Sequence, residues 1–221
     1  NRGIPHFAEN GLSERLISVV TDGRLSAGCD LAEENSFSTF IITVGTPLSP
    51  DGEVCSDMIV RAVSEVAAKM NSGSLVILRS TVMTGTSRNT VLPVLESSGK
   101  GFKLAMCPER TIEGKALSEL SELPQIVGGL DQCAAKQAAN LFSSITDSII
   151  TVSSLEAAET IKLVDNTFRD VKFAFANEVA RACDALGVDA VEVIAAGKLG
   201  YERTNVPLPG LVGGPCLEKD P

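Results

Sequence analysis

SSLEAAETIKLVDNTFRDVKFAFANEVARACDALG, residues 153–187, contains no Pro, and no Gly before its last position, Gly187. It reads as one long helix. Ser153 and Glu156 make a capping box, with Ser at the N-cap and Glu three residues on. Gly187 stands where a left-handed stop is expected. At 1.5 Å per residue the rod runs roughly 50 Å. Apolar residues recur at Ile161, Val164, Phe168, Val171, Phe175, Val179, Ala182 and Leu186 in steps of three and four, which predicts one face docked on the chain's own sheet. Phe173, Ala176, Ala180 and Cys183 fall off that stripe. A second copy of the chain is expected to cover them, giving a homodimer through the 153–186 helix. The alternative is that Phe173 packs under the 197–221 loop of its own chain. Lys162, Asn166 and Arg169, at i, i+4 and i+7, form a polar row on the same rod. Such a helix serves as scaffold and as site wall.

The pattern upstream of the rod is different. A helix over Ser13–Val20 is followed by a buried strand, Phe40–Val44, that ends in Gly45-Thr46-Pro47. Then come an amphipathic helix over Asp57–Met70, a strand Ser74–Leu78 closing in Arg79-Ser80-Thr81-Val82, and a helix Thr84–Leu95. A third strand, Lys103–Met106, runs into Cys107-Pro108-Glu109-Arg110. Gln125–Gly129 and Ile149–Val152 are further strands around a helix from Asp131 to Phe142. Strands and helices alternating at short intervals predict an α/β fold with a parallel sheet and crossover helices, with ligands at the carboxyl ends of the strands. Beyond the rod, a short helix over Asp189–Ala196 leads into a Gly- and Pro-rich loop to Pro221.

Of 221 residues, 44% are hydrophobic, none is Trp and one is Tyr, and the net charge is −9. That charge argues against a nucleic-acid partner, since no basic patch is present to replace phosphate counterions. No apolar run reaches the ~18 residues of a membrane span. No signal peptide is read, and the first residue is Asn1, so the natural start is expected upstream. The six cysteines are unpaired in spacing and His6 is the single histidine, so no metal site is expected. Five of the cysteines read as small buried hydrophobes in a reducing cytoplasm.

Cys216 is the unusual one. Gly213 and Gly214 precede it, and Lys219 and Asp220 follow within four residues. Glycine permits close backbone approach to a ligand, and a nearby ammonium favours the reactive thiolate. An ordinary Gly-rich turn around a buried thiol is the alternative. Glu109 and Glu113, four apart, suit a general base and a ribose or water contact, or else an ordinary solvated acidic turn. Lys162 and Asn166 suit an oxyanion or a sugar hydroxyl, or else a polar helix face.

In order along the chain, Gly45-Thr46-Pro47, Ser80-Thr81-Val82, Pro108-Glu109 with Glu113-Gly114, Lys162-Leu163-Val164-Asp165-Asn166, Asn177-Glu178, and Gly213-Gly214-Pro215-Cys216 with Lys219-Asp220 resemble the nucleotide-sugar 6-dehydrogenases, the UDP-glucose/GDP-mannose dehydrogenase superfamily. Cys107-Pro108-Glu109-Arg110 and Asn166-Thr167-Phe168-Arg169-Asp170-Val171 look most like its UDP-N-acetylmannosamine branch. The resemblance implies oxidation of a UDP-sugar's C6 alcohol to a carboxylate with two NAD⁺ per turnover, supplying cell-surface polysaccharide precursors. It implies that Cys216 attacks the aldehyde stage to form a thiohemiacetal and then a thioester. Lys162 and Asn166 would hold the C6 oxygen, Asp220 and Thr81 would position water, and Glu109 would assist base chemistry. Thr46, Pro47, Ser80, Thr81, Glu113 and Lys219 would face NAD. Glu109, Arg110, Thr111 and Ile112, with Tyr201, Asn205, Gly210 and Gly213, would contact the sugar nucleotide.

On this resemblance, residues 1–152 are the later portion of a Rossmann-like NAD-binding domain and 153–221 a central helical dimerisation domain carrying the cysteine loop. No Gly-x-Gly-x-x-Gly occurs; the family's first βαβ unit is expected before Asn1 and its second nucleotide-binding domain after Pro221. Two other readings stay open. A hydroxyacid dehydrogenase of the 6-phosphogluconate type shares the helix with its Lys and Asn but does not require the cysteine loop. A structural dimerisation module without activity is the second.

Overall fold

The computed structural model describes residues 3–31, 37–52, 54–201, 203–214 and 219–220. The chain divides into two compact units, Asn1–Thr46 with Cys55–Thr160, and Pro47–Val54 with Ile161–Pro221.

The first unit is an α/β sheet unit. Its elements are α1 (Leu12–Thr21), β1 (Thr39–Ile42), α2 (Asp57–Lys69), β2 (Ser74–Leu78), a π-helical turn (Ser87–Val91) running into α3 (Leu92–Glu96), β3 (Phe102–Met106), α4 (Ala116–Glu122), β4 (Gln125–Gly129), α5 (Gln132–Phe142) and β5 (Ile149–Val152). The strands lie in chain order, β1 to β5. β2 is central to its neighbours and every one of its residues is buried, as a continuous apolar run requires. The expected all-parallel sheet is corrected at one joint: β4 pairs antiparallel with β3 through Ala105–Gly129 and Met106–Gly128, whereas the other three pairings are parallel.

That reversal decides where the helices go. Right-handed crossovers between β1, β2 and β3 put α2 and α3 on one face. β4 and β5 continue in the same lateral direction but point the other way, so α5 falls on the opposite face. There Leu75, Ile77, Ala105, Cys107 and Val127 pack with Ala135, Ala138 and Phe142. The alternate residues Val76, Leu78, Leu104 and Met106, equally buried, face the other side. The reversal also carries Gln125, the first residue of β4, to the carboxyl end of β3. Gly128 makes a close crossing possible: a Cβ there would meet Ser154 O at 2.2 Å and Ala158 Cβ at 2.9 Å.

Helix α6 (Leu155–Leu186) begins in the first unit and continues through the second, where α7 (Ala190–Lys198) follows it. Its N-cap is Ser154, not the expected Ser153: Ser154 Oγ accepts the Ala157 N–H at 3.1 Å. Glu156 therefore stands one position too early for a capping box, and it pairs with Arg88 instead. Glu159, fully buried, accepts the Gly85 and Ser87 N–H groups at 2.6 and 2.7 Å. It thereby ties the first turns of α6 to the start of the π-helical turn. The expected stop holds: Gly187 has φ +71° and the Val188 N–H returns to Cys183 O at 3.0 Å.

The buried face of α6 is the reverse of the expected one. Val164, Phe168, Val171 and Phe175 are 56–62% exposed. Asn166, Ala176 and Cys183 are buried and Phe173 is half-buried. At 100° per residue the exposed row lies about 170° round from Asn166. Both sides of the rod are apolar enough to be a core face, so spacing alone does not choose between them. The cysteines also depart from expectation: Cys107 and Cys183 are buried, but Cys29 and Cys133 are exposed. Among the described residues, no helix is long and apolar enough to cross a membrane.

Candidate active site

In the first unit the candidate residues gather at the carboxyl ends of β1, β2 and β3. Two hydroxyls latch the loops there: Thr46 Oγ1 donates to Thr81 O and Ser80 Oγ donates to Val44 O, both at 2.6 Å. Thr46 and Ser80 are buried and Thr81 half-buried. Having donated its proton, the Ser80 hydroxyl oxygen can still accept from a donor.

Glu109 sits after β3 with both oxygens engaged. Oε2 pairs with Arg79, and Oε1 accepts the Arg110 and Thr111 N–H groups at 2.8 and 2.9 Å. Partial burial pushes this carboxyl upward, but the Arg79 hydrogen bond and charge, with the Thr111 and Arg110 amides, outweigh it and hold it below the usual range. Burial pushes the neighbouring Cys107 thiol up to about 12, against a smaller pull from Arg79, so that thiol is inert. Arg110 and Thr111 are half-buried, while Ile112 and Glu113 are exposed on the turn before α4. Glu9, from the N-terminal segment, holds that turn by accepting the Gly114 N–H at 2.9 Å.

In the second unit Lys162 is half-buried one turn before Asn166. Asn166 is buried and its Nδ2 donates to Asp220 Oδ2, 54 positions away in sequence. Asp220 Oδ1 lies 3.3 Å from Lys219 Nζ, and among the described residues it accepts no hydrogen bond. Asn177 grips Gly210 twice: its Nδ2 donates to Gly210 O and its Oδ1 accepts the Gly210 N–H, each at 2.9 Å. Tyr201 is exposed, with the Arg203 guanidinium 4.7 Å from its ring centre. Asn205, Gly213 and Pro47 are exposed. Cys216 lies outside the described residues.

Arg79, Gln125 and Glu9 escaped the sequence reading. The signal for Arg79 is a lone arginine directly after the apolar run Leu75–Leu78, where a buried cation calls for a nearby carboxylate. Glu9 left no local signal, because it acts on a turn more than a hundred positions away.

Residues 1–146 match the NAD binding domain of the UDP-glucose/GDP-mannose dehydrogenase family and residues 156–221 match its central domain. The chain belongs to this family. It is 36% identical to a UDP-N-acetyl-D-mannosamine dehydrogenase of Pyrococcus horikoshii, over 100% of this chain and 54% of that protein. The solved structure of UDP-D-ManNAc dehydrogenase from Pyrococcus horikoshii superposes with a TM-score of 0.93 at 34% identity, covering 99% of this chain and 53% of the other. A UDP-glucose dehydrogenase from Pyrobaculum islandicum superposes with a TM-score of 0.89 at 31% identity, covering 99% and 52%. The chain thus spans about half the length of these members of the family.

Proposed function

We propose that this chain is part of a cytoplasmic, NAD-dependent nucleotide-sugar 6-dehydrogenase. It oxidises the C6 alcohol of a UDP-sugar, a UDP-N-acetylhexosamine, to the uronate for cell-surface polysaccharide precursors. Residues 1–152 serve as the later part of the NAD-binding domain and 153–221 as the central domain. The observation that carries the reading is the meeting of Asn166, Lys219 and Asp220. The resemblance nominates all three, from two distant segments, and chance gives no reason for them to converge.

The residues present fit the nicotinamide end of NAD. The Ser80 hydroxyl acts as a donor within the chain and so stands as an acceptor toward an amide NH₂ or a ribose hydroxyl, beside Thr46. With Pro47, Thr81, Glu113 and Lys219 they would hold that end. NAD⁺, when bound, supplies the hydride acceptor. No Gly-x-Gly-x-x-Gly is present to cradle the pyrophosphate, so the chain by itself binds NAD⁺ very weakly.

Lys162 and Asn166 stabilise negative charge developing on the C6 oxygen. At the aldehyde stage the Cys216 thiolate bonds to C6, giving a thiohemiacetal whose loss of hydride leaves a thioester. Water adds to that carbonyl, the C–S bond breaks, and the acid departs as the thiol re-forms. Asp220, its Oδ2 held by Asn166, positions that water. Glu109, Arg110, Thr111 and Ile112 and the loop of Tyr201, Asn205, Gly210 and Gly213 contact the sugar nucleotide. Two copies associate through the exposed row Val164, Phe168, Val171 and Phe175. The test is product analysis with UDP-N-acetylmannosamine and NAD⁺ on the whole enzyme: Cys216→Ala makes no acid. Acid formed at a normal rate by that variant would refute the covalent route.

A further inference from the structure

We propose that Arg79 is a positioning residue of this site: its buried guanidinium, braced from behind by Gln125 and Phe142, fixes the Glu109 carboxylate at the carboxyl end of β3. The inference rests on the reading that Glu109 belongs to the site. Its geometry does not depend on that reading.

Arg79 is only 6% exposed. A buried cation needs a counter-charge and partners for its remaining donors. Nη2 binds Glu109 and Nη1 donates to the buried Gln125 Oε1 at 3.2 Å. The guanidinium carbon lies 4.8 Å from the centre of the Phe142 ring, the arrangement of a cation over an aromatic face. The backbone is pinned as well: the Arg79 N–H donates to Ile42 O at 2.9 Å, and Arg79 O accepts the Glu109 N–H at 3.4 Å. A flexible side chain is thereby given one conformation, aimed at one carboxylate.

The reversed strand makes this possible. Were β4 parallel to β3, its first residue would lie at the opposite end of the sheet, away from Arg79. Antiparallel pairing brings Gln125 to the carboxyl end of β3. Phe142 comes from α5, which the same reversal places on that face. The consequence for chemistry is specific. A carboxylate clamped by a buried arginine and two amides persists as an anion, so Glu109 acts as a fixed acceptor for a hydroxyl or a water. Repeated proton pick-up near neutral pH is not its role.

The experiment is a carboxyl ¹³C NMR titration of the full chain, with the Glu109 signal identified by its loss in Glu109→Gln. Wild-type Glu109 is expected to titrate below the ordinary value of about 4.3. In Arg79→Met it should rise, with faster amide exchange at Arg110 and Thr111. Arg79→Lys should restore part of the depression, as a charge without the second hydrogen bond. Gln125→Leu keeps both charges and gives a smaller rise, which serves where Arg79→Met does not fold. Wild-type Glu109 titrating at the ordinary value, or staying depressed in folded Arg79→Met, would overturn the proposal. The titration needs no substrate, so it stands or falls apart from the UDP-sugar assay that tests the reading beneath it.

Discussion

The sheet of the first unit and the long helix in the second carry similar amounts of apolar sequence, yet they end differently. In the sheet, both faces of β2 and β3 are covered by helices of the same unit, and the strand-end hydroxyls and ions are matched within it. On α6, four large apolar residues in regular spacing meet solvent, two of them phenylalanines. An apolar run in a central strand must find its cover inside the unit, because its neighbours are hydrogen-bonded on both sides. A helix has no such obligation, and its free face is where a second chain gains the most.

The largest expected effect follows from that contrast. On the proposed two-fold association, Phe168→Asp keeps an aromatic from being buried in each half; at about 1.5–3 kcal/mol for each Phe, dimer affinity is expected to fall about a thousandfold. Sedimentation at tens of micromolar should show monomer for the variant and dimer for wild type, with unfolding of the monomer little changed. A wild-type chain that sediments as monomer would break the comparison. In the sheet unit, Gly128→Ala forces a Cβ against the Ser154 carbonyl and should destabilise the unit by about 2–3 kcal/mol, read as a shift in urea midpoint. Dimer affinity should not move. Arg79→Met leaves Glu109 and Gln125 without their donor. Because the Glu109 side chain is 41% exposed, solvent softens the loss, and about 2 kcal/mol is expected by the same measurement.

The smallest effect is a pH dependence. The Arg88 hydrogen bond holds the Glu156 carboxyl down to about 2, against a weak upward push from burial. A depressed carboxylate contributes stability that is complete above its unfolded value, about 4.3. That contribution is lost as pH falls through about 2. The tether between α6 and Arg88 should therefore hold unchanged from pH 8 to 5 and weaken only below about 4. Amide exchange at residues 85–88 checks this. In Arg88→Gln, the Glu156 carboxyl should titrate higher than in the wild type.

Most of the sheet was legible. Ser74–Leu78, Gln125–Gly129 and Ile149–Val152 stand as strands where short apolar runs between turn residues put them. Strand direction is not legible, because a period of two is the same read either way, so sequence alone does not reveal that β4 runs antiparallel to β3. Helix α4, seven residues long, has too few turns for a periodic signal. The π-helical turn at Ser87–Val91 has the composition of an ordinary helix start. The spacing of Ser153 and Glu156 suggests a capping box, but the adjacent Ser154 caps α6, and Glu156 pairs with Arg88. Among the candidate residues, the motifs name Asn166 and Asp220, and the fold joins them by a hydrogen bond. Arg79 was not nominated, because a charge after a strand usually reads as a turn and only the fold reveals that it is buried.

The central claim is the double oxidation. The direct measurement is the ratio of NADH formed to acid released when the whole enzyme turns over UDP-N-acetylmannosamine with NAD⁺, in wild type and in Cys216→Ala. The account predicts two NADH per acid for wild type and no acid for Cys216→Ala. One NADH per sugar with no acid from the wild type, or a two-to-one ratio surviving in Cys216→Ala, would contradict it.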